Sequence, residues 1–379
     1  MTDKFLFLAD FHVKARTWTN NTQVRGDAYE AMKQIGDKAE EHQLDTLVIG
    51  GDFFDSNRPT PDDLVQTVDF LSRFKQVYYI RGNHDSCDPS YLESISRILG
   101  IDNFVQQLNG QMVHLSGNNY LSGISWMPSR EEYRKAVKDT IEWFRDNHKG
   151  DRLYLVLHTS FRHLLSFEGA YAFDAEEVGR WCDWNDTSDI TLLVGDVHVR
   201  NSQCFGSGML FHSPGSVYPL QFNDADTDKG CTVVDTKGIR LNRFVFMPVA
   251  VRRYTSWRYT GEADTLNAWL DTISRTQRTS EYPLPTYARI IVENGVDFPR
   301  IDMTQYSDLV IQIQLETEEF DPGHAVDSAD GVYTLEQAIN DEFPDPDVAE
   351  IANKLVVSPD PADEIRKYLD FWQVERTVF

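Results

Sequence analysis

The sequence predicts a layered α/β domain, then a smaller α+β module, then an acidic C-terminal stretch. Three observations carry this. Over the first two thirds of the 379 residues, short apolar runs alternate with segments of helical periodicity. Near residue 248 the texture changes to the basic and aromatic run RRYTSWRY. From about residue 320, Asp and Pro become frequent, as in FPDPD and SPDPAD.

The run FLFLA predicts a first strand at 4–9. Further strands are predicted at 45–50, 77–80, 112–115, 120–124, 153–157, 190–194, 209–212, 231–235 and 239–246. Helices are expected between several of them. In 60–74, Thr60 can cap, Pro61 suits the first helical position, and Leu64, Val68 and Leu71 recur on one face. In 129–147, Ser129 and Glu132 fit a capping box ahead of Tyr133, Val137, Ile141 and Phe144. Beyond 248, Leu266, Trp269, Leu270 and Ile273 mark a helix at 262–276, and strands are predicted at 286–293 and 308–315. The last of these, LVIQIQLE, alternates with period two and predicts one wet face. The expected divisions are 1–247, 248–322 and 323–379, the last with short helices. The sequence has no internal repeat and no low-complexity tract.

A composition of 41% hydrophobic residues supports one large core and a smaller one. No run approaches the roughly 18 apolar residues of a membrane helix. The start, MTDKFLFLADFH, has too short an apolar run for a signal peptide, so a cytoplasmic location is expected (the host cytoplasm for a phage-encoded chain). Cys87, Cys182, Cys204 and Cys231 are scattered without a CxxC pair and read as free thiols in a reducing compartment. The net charge of -24 argues, taken alone, against nucleic acid as a partner. However, residues 301–379 hold 19 acidic and 4 basic side chains, so -15 of that charge sits there and only -9 in the first 300 residues.

The chemistry shows where the strands stop. VYYIRGNHD ends a buried-looking strand in Gly82, Asn83, His84 and Asp85. A turn accounts for Gly and Asn but not for the His and Asp beside them. Four other runs end in the same way: FLFLA before Asp10 and His12, TLVIGG before Asp52, LYLVL before His158, and ITLLVG before Asp196 and His198. Sites in α/β sheets form outside the carboxyl ends of strands, so these groups are expected to converge. Each DxH or GD alone is usually a turn or a cap, and GNHD is a stronger signal. All of them together, each at a strand end, favour a site.

Carboxylates, imidazoles and one amide oxygen, with no thiolate, suit Mn, Fe or Zn. Asp52 is placed to bridge two ions, and ions about 3.5–4 Å apart can activate water and brace a phosphoryl oxygen. Phosphate-ester cleavage is the expected reaction. Asn83 can ligate through its amide oxygen, and His84 can donate a proton to the leaving oxygen or stabilise phosphoryl charge. Asp85 is expected to hold that imidazole in its tautomer.

These residues resemble the calcineurin-like metallophosphoesterase superfamily, whose ordered signature is DxH, GD, GNHD, H and GHxH. Here it reads Asp10-Phe11-His12, Gly51-Asp52, Gly82-Asn83-His84-Asp85, His158 and Gly195-Asp196-Val197-His198. The match spans residue 1 to about 245. It implies a layered β-sandwich flanked by helices. It also implies one ion held by Asp10, His12, Asp52 and His198, and a second held by Asp52, Asn83, His158 and Asp196. Asp196 departs from the family pattern, which has His there, and implies an altered metal preference at the second site.

Within the superfamily the chain resembles the SbcD-type nuclease subunits of bacteria and phages, through GGDFFDSNRPTP, with its Asp55, and HSPGSVYPLQF. That resemblance implies a manganese-dependent DNA exonuclease and endonuclease acting on double-stranded ends and single-stranded regions, with Mg2+, Fe or Zn as other possible ions. It implies a homodimer within a heterotetramer, partnered by an SbcC-type SMC-like coiled-coil ATPase and working in recombination and repair without a membrane. The C-terminal helices of that family bind the coiled-coil base. Here Ile365, Leu369 and Trp372 recur at i, i+4 and i+7 and form either that contact or a stripe packed on the protein's own cap.

Expected substrate contacts are Arg81, Asp55, His212, Arg252 and Arg253. The last two lie in the acid-free stretch 237–260, where arginines interleave with aromatic residues. The alternative for that stretch is a strand pair with a solvated basic face. His163 reads as structural, and His212 as structural or as part of the site wall. Two other functions compete with the nuclease. One is a stand-alone phosphodiesterase or phosphatase for a small molecule, cyclic nucleotide or phosphoprotein. The other is a non-catalytic scaffold, against which the presence of His84 argues.

Overall fold

Strands β1 (Lys4–Leu8), β4 (Thr46–Gly50), β9 (Arg152–His158) and β10 (Asp189–Gly195) are continuous apolar runs because both faces of each are covered. These and the other elements are taken from a computed structural model. It describes residues 3–315 apart from 19–20, 88–89, 100–103, 163–171, 183–188, 206–208, 223, 225–226, 276–281 and 307. The described residues belong to the first of the two units into which the chain divides, 1–317 and 318–379. Ile365, Leu369, Trp372 and His163 lie outside the described residues.

The remaining strands are β2 (Arg16–Trp18), β3 (Asn21–Arg25), β5 (Gln76–Ile80), β6 (Val105–Gln107), β7 (Val113–His114), β8 (Asn119–Ile124), β11 (Asn201–Phe205), β12 (Met209–Ser213), β13 (Gly230–Asp235), β14 (Phe244–Pro248), β15 (Tyr254–Tyr259), β16 (Thr286–Val292) and β17 (Leu309–Leu315). The α-helices are α1 (Asp27–Glu41), α2 (Pro61–Leu71), α3 (Tyr91–Leu99), α4 (Arg130–Asn147), α5 (Ala175–Trp181) and α6 (Ala263–Ser274). One sheet has the order β14-β13-β1-β4-β5-β6, and a second has β11-β12-β10-β9-β8-β7. The small sheet β15-β16-β17 is parallel throughout.

Strand alternation builds the layers. Phe5, Phe7 and Ala9 pack with Val48, Ile80, Tyr154, Val156 and Leu193 in a core shared by the two large sheets. Leu6 and Leu8 point the other way, onto Ala28, Met32 and Ile35 of α1 and Phe70 of α2. In the second sheet Leu153, Leu155 and Leu157 pack outward on Val137, Ile141 and Phe144 of α4. This is the helix-flanked sandwich expected. Among the described residues, no helix is long and apolar enough to cross a membrane.

Helix starts follow their caps. Thr60 accepts a bond from the Asp63 amide at 3.2 Å while Asp63 accepts from the Thr60 amide at 2.8 Å, with Pro61 at the first helical position. Ser129 caps α4 by accepting from the Glu132 amide at 3.3 Å. In the small sheet, Leu266 and Leu270 of α6 cover Tyr259, Ile290 and Val292. One expectation fails here. The polar face of β17 is not simply wet, because Gln312 accepts from Tyr287 and Gln314 from Arg289, and both glutamines are half-buried.

Candidate metal centre

The two large sheets each bring part of the centre. Asp10 and His12 follow β1, Asp52 follows β4, and Asn83 and His84 follow β5, all in the first sheet. His158 ends β9, and Asp196 and His198 follow β10 in the second. The backbone turns sharply at these ends. Asp10, His12, Asp52 and Asp196 have φ of 50°, 49°, 47° and 79°, in the left-handed region that side chains other than glycine avoid. Such strain costs on the order of 1–3 kcal/mol per residue and persists only where neighbours enforce it. Here the Asp10 amide donates to the Gly51 carbonyl at 3.2 Å and the His12 amide to the Asp52 carbonyl at 2.9 Å. Gly82 is required by a close approach, since a Cβ there would overlap the Asp52 carboxylate.

Asp52 lies at the middle. Its Oδ2 is 3.3 Å from His158 Nε2 and 3.7 Å from His12 Nε2, and its Oδ1 accepts from the His84 amide at 2.9 Å. His158 Nε2 is 3.1 Å from Asn83 Oδ1 and 3.9 Å from Asp196 Oδ1. His198 Nε2 is 4.0 Å from Asp10 Oδ1. Ligand atoms of three trios lie within 4.8 Å of one another: Asp10, His12 and His198; His12, Asp52 and His84; and Asp10, Asp52 and His158. Asp10, Asp52 and His158 are buried, whereas Asn83, His84 and Asp196 form the open side.

The cluster is arranged for a cation. His12 Nε2 is buried and has no hydrogen-bond partner, while its Nδ1 is 3.2 Å from Asp55 Oδ1. A buried polar atom without a partner is costly unless something binds it. His158 Nδ1 donates to the Gly50 carbonyl at 2.9 Å, which turns Nε2 to the carboxylates. Burial disfavours the charged His158 imidazole, but Asp52, Asp10 and Asp196 outweigh this and push it up to about 10. Burial also raises Asp52, yet His158, His12 and the His84 amide reverse the effect and hold it well below the carboxylate range. Asp196 is raised to about 6 by burial and by the negative charge of Asp10 and Asp52, against the pull of His158. Convergent carboxylates that draw a proton onto an imidazole are a donor set fit for divalent ions.

Several expected roles need correction. Asp85 does not face the His84 ring. It is buried, and its carboxylate accepts from the backbone amides of Gly82 and Phe53 at 2.8 Å each, fixing the GNHD turn. Consecutive side chains diverge, which separates it from His84. His84 Nδ1 instead donates to the Asp55 carbonyl at 2.9 Å. The Asp55 side chain holds His12 and accepts from Lys14 at 2.7 Å, so residue 55 orients two imidazoles. His212 is buried away from solvent between Ser202 at 2.7 Å and Thr232 at 2.9 Å, stacked on Phe244, and forms no site wall. Arg252 is buried on Asp27 and cannot reach a substrate. Arg243, from the same basic stretch, is buried on Asp189 and Thr191. Arg81 donates to the Cys87 carbonyl at 2.8 Å, and Arg253 lies over the Tyr282 ring at 4.9 Å.

Three positioning residues were not singled out from sequence. The Tyr133 hydroxyl accepts from the His158 amide at 3.0 Å and lies 3.2 Å from its carbonyl. The Tyr218 hydroxyl donates to the His12 carbonyl at 2.7 Å, and the Lys229 ammonium to the His198 carbonyl at 3.0 Å. The available signal was that a buried Tyr hydroxyl or Lys ammonium needs a partner.

Residues 3–200 match the family model described as calcineurin-like phosphoesterase. The chain is 30% identical over 272 residues to the DNA double-strand break repair protein Mre11 of Nanoarchaeum equitans, covering 64% of this chain and 67% of that one. It is 32% identical over 129 residues to the protein of the same name from Methanosarcina acetivorans, covering 33% of this chain and 20% of that one. It is 23% identical over 246 residues to the Sulfurisphaera tokodaii protein, also named Mre11, covering 62% and 60%. The chain thus spans from one fifth to two thirds of the length of these relatives. With residues able to hold metal at five strand ends and the family match over the same segment, the chain belongs to the calcineurin-like phosphoesterase family, hydrolases of phosphate esters that use two divalent ions.

Proposed function

We propose that this protein is a manganese-dependent DNA nuclease that cuts at DNA ends as exonuclease and endonuclease. One observation supports the chemistry: the two sheets bring the side chains of Asp10, His12, Asp52, Asn83, His158, Asp196 and His198 close to one another, with His84 beside them. The relatives named for double-strand break repair carry the choice of DNA.

In this reading Asp10, His12, Asp52 and His198 hold one ion, and Asp52, Asn83, His158 and Asp196 hold the other. Bound there, two divalent ions supply Lewis acidity to the phosphoryl oxygen and the attacking water. The chain does the rest. Gly50 and Asp55 fix the His158 and His12 rings through their Nδ1 atoms. His84, with Nδ1 on the Asp55 carbonyl, keeps Nε2 for the substrate. As an imidazolium it donates the Nε2 proton to the leaving oxygen. Asp85 acts through the turn it braces.

The wider assignment has a phosphoesterase domain at 1–247, a cap at 248–322 and a partner-binding region at 323–379. In it, Ile365, Leu369 and Trp372 meet an SbcC-type coiled-coil ATPase in the cytoplasm, and two copies pair in a heterotetramer. The test is digestion of end-labelled linear duplex with manganese, magnesium or chelator, beside Asp52→Ala. Manganese-dependent shortening absent from the variant is expected. A protein that cleaves a small model diester but leaves DNA intact, with and without the ATPase, would establish a small-substrate phosphodiesterase instead.

A further inference from the structure

A cavity of about 260 Å3 lies between the start of α4, the segment after β9, and α5. Four arginines line it, Arg130, Arg134, Arg162 and Arg180, against two acids, Asp174 and Glu177. All four arginines are exposed. The acids are already engaged. Glu177 pairs with Arg134, and Asp174 accepts from the Glu176 and Glu177 amides at 2.8 and 3.2 Å as the cap of α5. Among the described residues, no acid forms an ion pair with Arg162 or Arg180, and Arg130 reaches only the Ala172 carbonyl at 3.3 Å. The backbone of Arg162 is pinned, its amide donating to the Phe173 carbonyl at 2.8 Å.

Two further facts point to the ligand. Tyr133 also lines the cavity, and its hydroxyl bonds the backbone of His158, which ties the cavity wall to one of the strand ends that form the centre. The chain as a whole carries -24, so a polyanion is repelled unless positive charge is gathered locally. Planar guanidinium forks match phosphate oxygens, and a strand that neutralises them releases counterions. At about 260 Å3 the cavity falls below the roughly 300–1,000 Å3 of small-molecule sites, which fits one phosphate whose chain continues outside.

We propose that this cavity holds a backbone phosphate of the nucleic-acid strand whose scissile phosphate sits at the metal centre, and so sets how the strand is advanced. The proposal rests on the DNA reading above. It is tested on the full chain with the pair Arg162→Gln and Arg180→Gln, neither of which touches the centre. The expected result is a KM for single-stranded and end-labelled duplex DNA raised roughly 10-fold, with the slope of log affinity against log salt shallower by about 1. Turnover of bis(p-nitrophenyl) phosphate stays at the wild-type value. The corresponding Arg→Lys pair keeps the salt slope, because the charge is retained, but loses part of the affinity with the planar forks.

Wild-type protein that digests DNA while the Gln pair matches it in KM and salt slope overturns the strand site alone. Wild-type protein that cleaves the model diester but neither binds nor digests DNA overturns the DNA reading, and the strand site with it. A parallel loss on the model diester would place the effect in the Tyr133 contact and also overturn the proposal. Should the double variant unfold, Arg180→Gln alone is compared, with an expected rise in KM of a few-fold and overturn by an unchanged KM.

Discussion

Two groups of buried carboxylates in this molecule are built on opposite terms. Around Asp27, Arg252 donates through Nε at 2.7 Å and Nη2 at 2.8 Å, Thr17 at 2.6 Å and Tyr254 at 3.2 Å. Charge and hydrogen bonds close within the chain. Around Asp52 and Asp10, the facing groups are imidazoles and a further carboxylate, and His12 Nε2 is left without a hydrogen-bond partner. The first cluster is complete and ties β2, β3 and α1 to the segment leading into the small sheet, since Arg252 also donates to the Arg25 and Pro285 carbonyls. The second is complete only with a cation. Burial alone therefore does not separate a structural ion pair from a site. Several carboxylates converging on several imidazoles do.

The largest test of this contrast is Asp52→Ala, expected to abolish metal binding and reduce hydrolysis to background. It is read by calorimetric titration with manganese and by diester turnover. Retained binding would break the comparison. Arg252→Ala leaves Asp27 buried and unpaired, and is expected to lower stability by about 3–5 kcal/mol in urea unfolding with chelator. The metal stoichiometry of the folded fraction should stay unchanged. His84→Ala is expected to keep both ions and slow turnover roughly 100-fold, the lower end for a lost general acid. Loss of metal in that variant would merge two roles that are separated here.

Asp55→Ala frees His12 Nδ1 and is expected to weaken manganese binding by roughly 10-fold, the scale for a partner behind a ligand. The smallest effect is in pH. Asp196 is raised to about 6 and must be ionised to ligate, so manganese affinity should fall as pH drops through that value. His158, pushed up to about 10 in the metal-free protein, must release its proton, so affinity should also rise with pH above neutrality. Titrations from pH 5 to 9 check both signs, and Asp196→Asn should flatten the acidic limb.

The strand ends were readable because apolar runs and the groups that terminate them are local features. The arrangement of two facing sheets was not local and came from the family resemblance. Helix α1 buries a face that mixes Met32 and Ile35 with Ala28, Ala31, Gly36 and Ala39. Gly36 is small because Arg73 lies over it. The charged residues were least legible. Arg243, Arg252 and His212 each look like surface groups until their partners at distant positions are known. Asp85 is the converse case: adjacent to His84 in sequence, it binds the Gly82 and Phe53 amides in space.

The division of the centre between two sheets has a consequence for the life of the molecule. Asp10, Asp52 and Asn83 belong to one half of the sandwich and His158, Asp196 and His198 to the other, so ions bound there clasp the halves together. A ligand that binds only the folded form adds about 2.7 kcal/mol when its concentration is one hundred times its dissociation constant. Ions bound at the centre would therefore hold the fold together as well as serve hydrolysis, and the metal-free chain is expected to unfold at lower urea than the loaded one.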